Sequence, residues 1–177
     1  MATTDPYALH SPGGTPPPEG QTALFAKLVD HPFLRGMEPA QLQALSANAM
    51  PVEIPAGEVI FREGDSANRF YLIHSGEVIL ESQDTPDGRA TVIDTIGAGG
   101  VLGWSWMFPP YYWHFEARAT KPTKATFFYG TRLREAFDAD PKLAYALAFR
   151  VAEVVVQRLQ ATRRKLLHQG SGKTPGA

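Results

Sequence analysis

From Pro51 to about Gly130 the apolar pattern repeats every two residues, and helical spacing brackets that stretch on both sides. Within "PVEIPAGEVIFREGDSANRFYLIHSGEVILESQ" the alternation predicts four short strands, around 52–54, 58–62, 69–74 and 77–82. Pro55-Ala56-Gly57, Gly64-Asp65 and Ser75-Gly76 punctuate them. "ATVIDTIG", "HFEARAT" and "TKATFFYG" add three more. Short strands at a spacing of about eight to twelve residues, separated by glycine turns, point to a compact β-roll or sandwich.

The flanks set the remaining architecture. "TALFAKLVDHPFL" and "EPAQLQALSANAM" carry helical spacing in short pieces, broken at His31-Pro32 and Gly36. After Arg132 the helical period returns. Ala144, Ala148, Val151, Val155, Leu159, Thr162 and Leu166 form one stripe, broadened by Leu147 and Val154. This long apolar face predicts a homodimer through Leu147, Val151, Val155, Leu159 and Leu166, against the simpler expectation that the helix packs on its own roll. Residues 1–21 and 169–177 are Pro-, Gly- and Thr-rich and are expected to be disordered tails. One domain is therefore expected over 22–168, with the roll at about 51–130 and C-terminal helices at about 131–168.

Composition removes whole classes of function. The chain of 177 residues has no cysteine, which excludes disulfides, thiolate metal sites and a cysteine nucleophile. A formal net charge of -1 gives no general attraction to nucleic acid or anionic membrane. There is no apolar run long enough to span a bilayer and no basic-then-apolar leader, so a cytoplasmic protein is expected. The five histidines show no ligand spacing, and no nucleophile is marked by a neighbouring base. Neither a metal, a cofactor nor enzymatic activity is expected. His74 and His114 are the residues a haem iron would have to use.

The run "IPAGEVIFREGDSANRFYLIHSGEVIL" (54–80) closely resembles the cyclic nucleotide-binding domain family, which includes catabolite-activator-type regulators and kinase regulatory subunits. Pro-Ala-Gly before a strand, Gly64-Asp65 in a turn, and Phe70-Tyr71 leading to Ser75-Gly76 carry the likeness, which extends over roughly 22–168. It implies a double-stranded β-helix, or jelly-roll-like β-roll, and a long C-terminal helix. It also implies a phosphate-binding cassette of the form Phe-Gly-Glu, a short helix, then Arg-Ser/Thr-Ala. The glutamate of such a cassette holds the ribose hydroxyl and the arginine pairs with the cyclic phosphate.

Here the cassette falls on "VLGWSWMFPPYYWHFEARAT" (101–120), which holds all three tryptophans of the chain. Leu102-Gly103 stands for Phe-Gly and Trp104 takes the glutamate's place. Counting back from Arg118-Ala119, Trp113 takes the arginine's place and His114 that of the Ser/Thr. Truncating one partner of a buried charged pair costs about 2–5 kcal/mol. That corresponds to roughly thirty- to several-thousand-fold in affinity. Cyclic nucleotide binding in the family's manner is therefore not expected.

Three readings of the aromatic loop remain. The tryptophans fill the vacated pocket; or Leu102, Gly103, Trp104, Ser105, Trp106, Tyr112, Trp113 and His114 line a pocket for another small molecule; or "MFPPYYW" projects as a hot spot for a partner protein. In the second, His114 and the amides near Gly103 to Ser105 supply polar contacts. A regulatory role follows, either as a sensor of a non-standard ligand or as an adaptor for a separate effector protein. The alternative is a cyclic nucleotide or cyclic dinucleotide receptor with unusual phosphate contacts. The family's transcription factors continue into a winged helix-turn-helix. "RLQATRRKLLHQGSGKTPGA" holds no such pattern, so direct DNA binding is not expected.

Overall fold

The computed structural model describes residues 19–82 and 90–170. The expected tails span 1–21 and 169–177; residues 1–18 and 171–177 lie outside the described range, and helices extend outward into both expected tails, from Glu19 and to Gly170. The order is α1 (Glu19–Val29), α2 (Pro39–Ser46), β1 (Ala49–Ile54), β2 (Val59–Phe61), β3 (Arg69–Ser82), β4 (Thr91–Gly97), β5 (Val101–Leu102), β6 (Glu116–Tyr129), α3 (Gly130–Ala139) and α4 (Pro141–Gly170). Single 3-10 turns lie at Pro32–Leu34 and Trp104–Met107. All strands join one antiparallel sheet in the order β1-β6-β3-β4, with β2 added to β6 and β5 to β3. The sheet wraps around Ile73, Val78, Leu80, Ile96, Leu102, Ala117 and Ala125. Burial of these apolar side chains drives the closure.

Two expectations change here. The separate strands expected at 69–74 and 77–82 are one strand, β3, and those expected at 114–120 and 123–130 are one strand, β6. Ser75-Gly76 is a bend rather than a turn: β3 keeps pairing with β6 while the register slips between Ile73 and Val78. Gly76 sits at φ +94, and a Cβ there would stand 2.5 Å from the Pro122 carbonyl. Any side chain would push the two strands apart at the point where both curve.

The helices close the lower end of the roll. Leu28, Leu34, Leu42 and Leu45 pack with Leu133 of α3, Leu143, Leu147 and Val151 of α4, and Phe70 and Phe128 of the roll. α4 starts where the sequence dictates. The Asp140 carboxylate accepts N–H bonds from Lys142 (3.0 Å) and Leu143 (3.3 Å), and Pro141 opens the helix. Its first half is held in this core. Its second half runs beside β4 and the cassette.

The dimer stripe divides accordingly. Leu147 and Val151 are fully buried in the chain's own core, and Val155 is partly buried against it. The exposed face is turned by one position. Tyr145, Phe149, Ala152, Val156, Leu159 and Leu166 recur at alternating four- and three-residue steps, with Arg163 completing the series, and all lie on solvent. Among the described residues no helix is long and apolar enough to cross a membrane.

Candidate functional site

The cassette loop leaves β5 at Gly103 and re-enters the sheet at Glu116. Its outgoing arm is clamped to the Gly64-Asp65 turn by backbone bonds. Trp113 N–H donates to the Asp65 carbonyl and Gly64 N–H to the Trp113 carbonyl, both at 2.9 Å. Ala67 N–H donates to the Tyr111 carbonyl at 2.7 Å. This clamp turns the Trp113 ring inward, where it stacks on Phe61 at 3.9 Å between centroids and 12° between planes. Gly103 makes room for it. At φ +84, a Cβ on that residue would lie 2.8 Å from the Arg69 carbonyl and 3.1 Å from the indole. The left-handed backbone, the Arg69 carbonyl and the Trp113 ring together require glycine at the start of the loop.

The rings do not fill the site. A cavity of about 230 Å³ remains between cassette and α4. Phe61, Leu80, Leu102, Trp113 and Phe115 supply much of its wall, Trp104, Ser105 and His114 add to it, and Val155, Arg158, Leu159 and Thr162 line it from α4. The charged side chains on its lining are Asp94 of β4 and Arg158 of α4. They pair with each other at 3.3 Å, and Arg158 Nη2 also donates to the Val101 carbonyl at 2.6 Å. Burial pushes the guanidinium's pKa down, and Asp94 acts against that shift.

Six of the eight expected pocket residues line this cavity: Leu102, Gly103, Trp104, Ser105, Trp113 and His114. Two do not. Trp106 is buried in the lower core against Phe137, with its Nε1–H unpartnered among the described residues. Tyr112 is half-exposed and bridges to Ser66 on the outer side of the loop. Trp104 packs edge-on to Phe108 and is partly exposed. Asp94 and Arg158 were not legible as site residues: each is an ordinary surface type in its own element, and pairing across 64 positions leaves no local signal.

Glu116 differs from the exposed strand residue its position suggests. Its carboxylate is 7% exposed, takes a bond from Arg62 at 3.0 Å and a second from Arg118, which also reaches Glu81 at 3.3 Å. Charges held by hydrogen bonds from both sides are structural, and Glu116 is spoken for. His114 beside it points to solvent and cavity, away from any nucleophile-like pairing.

Similarity to known proteins agrees with this geometry. The sequence profile of the cyclic nucleotide-binding domain family matches residues 51–140. The CRP-like cAMP-activated global transcriptional regulator of Mycobacterium tuberculosis is 28% identical over 134 residues, 76% of this chain and 58% of that protein. The chain therefore spans little more than half the length of this relative. The Acetyltransferase Pat of Mycolicibacterium smegmatis is 37% identical over 71 residues, 40% of this chain and 21% of the enzyme. Among solved structures, a putative cyclic nucleotide-binding protein from Geobacter metallireducens superposes with a TM-score of 0.68 at 28% identity, covering 76% of this chain and 96% of that one. Matched by the family profile over about half its length and superposed on a solved member over 76% of the chain, this chain belongs to the cyclic nucleotide-binding domain family, of the Crp/Fnr type.

Proposed function

We propose that this regulatory domain senses a small, largely apolar ligand other than a cyclic nucleotide, bound between the cassette and α4. By the family resemblance, tryptophans stand where ribose and phosphate contacts are expected, and one observation carries the reading: a cavity of about 230 Å³ persists beside the stacked Phe61–Trp113 pair. That volume lies just below the roughly 300–1,000 Å³ of drug-sized ligand sites. A single ring with a short substituent fits it better than a nucleotide does.

The ligand would touch roll and helix at once, so its occupancy would bias how α4 sits on the roll. The exposed seam of α4, from Tyr145 to Leu166, is the surface through which a second copy would report that change. Calorimetric titration of the full chain with phenylethanol, cyclic AMP and cyclic GMP tests the reading. Saturable binding of the ring compound, with silence from both nucleotides at millimolar concentration, is expected. Micromolar binding of either nucleotide overturns it and makes the chain a cyclic nucleotide receptor with unusual contacts.

A further inference from the structure

We propose that the ligand of this cavity carries a carboxylate, and that Arg158 of α4 receives it. The inference rests on the ligand reading above and narrows it to a chemical class: a small aryl or short alkyl monocarboxylate.

The cassette puts no arginine or lysine on the cavity wall: Trp113 stands at the position the family resemblance gives to arginine, and Arg118 is tied to Glu116 and Glu81 away from the lining. The cation on the cavity wall comes instead from the long helix. Arg158 is 24% exposed, so its charge is largely withdrawn from water. It keeps a cost that a second anionic partner would relieve. A guanidinium has five N–H donors. Arg158 donates one Nη2 N–H to the Val101 carbonyl and faces Asp94 through Nε in an ion pair at 3.3 Å, so its Nη1 and second Nη2 N–H groups are available to a ligand. A planar carboxylate matches two adjacent guanidinium donors. Asp94 already neutralises the arginine, so a single added negative charge suits the site better than a phosphate dianion. The remaining wall is aromatic and aliphatic, which asks for an apolar body behind the acid. His114 also lies on the lining but is exposed, where water screens any charge, so the largely buried Arg158 is the stronger receptor for an anion.

Three isosteric probes separate the possibilities: phenylacetate, phenylacetamide and phenethylamine, titrated calorimetrically into the full chain and into Arg158→Gln, Arg158→Lys and Asp94→Asn. Circular dichroism would verify that each variant is folded. Phenylacetate is expected to bind at least about tenfold more tightly than the amide, the size of a charge-assisted hydrogen bond. Arg158→Gln should erase that preference, Arg158→Lys should retain part of it, and Asp94→Asn should tighten the acid alone. Equal binding of acid and amide sinks the carboxylate assignment while leaving the cavity reading intact. Preference for the amine makes Asp94 the receptor and overturns the proposal. Acid binding that fails to compete with the amide would place the anion in the open groove on the far side of Arg158, lined by Arg35 and Arg150, and also overturns it. Silence from all three removes the ligand reading together with this one.

Discussion

His31 is held neutral by the fold, and acid should therefore loosen the junction between the N-terminal helices and the roll. Its Nδ1 accepts the Phe33 N–H at 3.3 Å, so the proton sits on Nε2, which donates to the Ile73 carbonyl at 3.2 Å. The side chain is 3% exposed. Burial, opposed by the hydrogen bond to Ile73 and helped by the His74 ring edge-on at 5.5 Å, lowers its pKa from 6.5 to about 4. His74 itself is pushed down by burial and by Lys27. A base whose pKa falls on folding binds more protons when unfolded. Its contribution is complete above pH 6.5 and drains away as pH falls toward 4. For a shift of this size the loss at pH 5 is at most about 2 kcal/mol. Out of a stability of roughly 5–15 kcal/mol that is easily measured. Urea unfolding at pH 7.5 and pH 5, followed by tryptophan fluorescence, gives the difference directly. His31→Gln keeps a donor and an acceptor but does not titrate, so its stability should change less between the two conditions. If wild type and variant lose the same stability on acidification, His31 is not the group responsible and this reasoning fails.

Two further outcomes are expected. Gly76→Ala combines a positive φ with a Cβ against the Pro122 carbonyl, and should cost about 2–5 kcal/mol in urea unfolding; a loss below about 1 kcal/mol would mean β3 and β6 can separate there without strain. Val156→Asp with Leu166→Asp should convert a dimer to a monomer in sedimentation without disturbing the fold, since both side chains are exposed and neither lines the cavity; a monomeric wild type at micromolar concentration would remove the dimer reading.

The fold was legible because two periodicities meet at Pro51 and again near Gly130, and each is a direct consequence of side-chain direction. What escaped was continuity. Ser75-Gly76 has the composition of a turn, yet β3 runs through it, because glycine serves equally where two strands cross too closely for a Cβ. The α4 seam shows the same limit. Leu147, Val151 and Val155 share a stripe by spacing, but a helix offers apolar residues on two neighbouring faces here. The core takes Leu147, Val151 and part of Val155, while Leu159 and Leu166 of the same stripe stay on solvent beside Phe149 and Val156.

The loop's place between two strands was legible because Gly103 and Arg118-Ala119 mark its ends; the places of its three tryptophans were not, since three identical side chains carry no statement of direction. The structure separates them. Trp106 belongs to the lower core, Trp113 to the cavity wall, and Trp104 to its rim. The consequence is mechanical. In a cassette with its own arginine, as the family resemblance implies, the anion is held by the loop. Here the available cation is on α4 and is already tied to the roll through Asp94 and the Val101 carbonyl. A ligand that draws on Arg158 changes the tie itself, so sensing and transmission would share one side chain. Such a ligand shifts α4 only by as much as it prefers one placement of Arg158 over the other. A tenfold preference moves the equilibrium by about 1.4 kcal/mol, enough to alter a balanced population but not to reverse a strongly biased one.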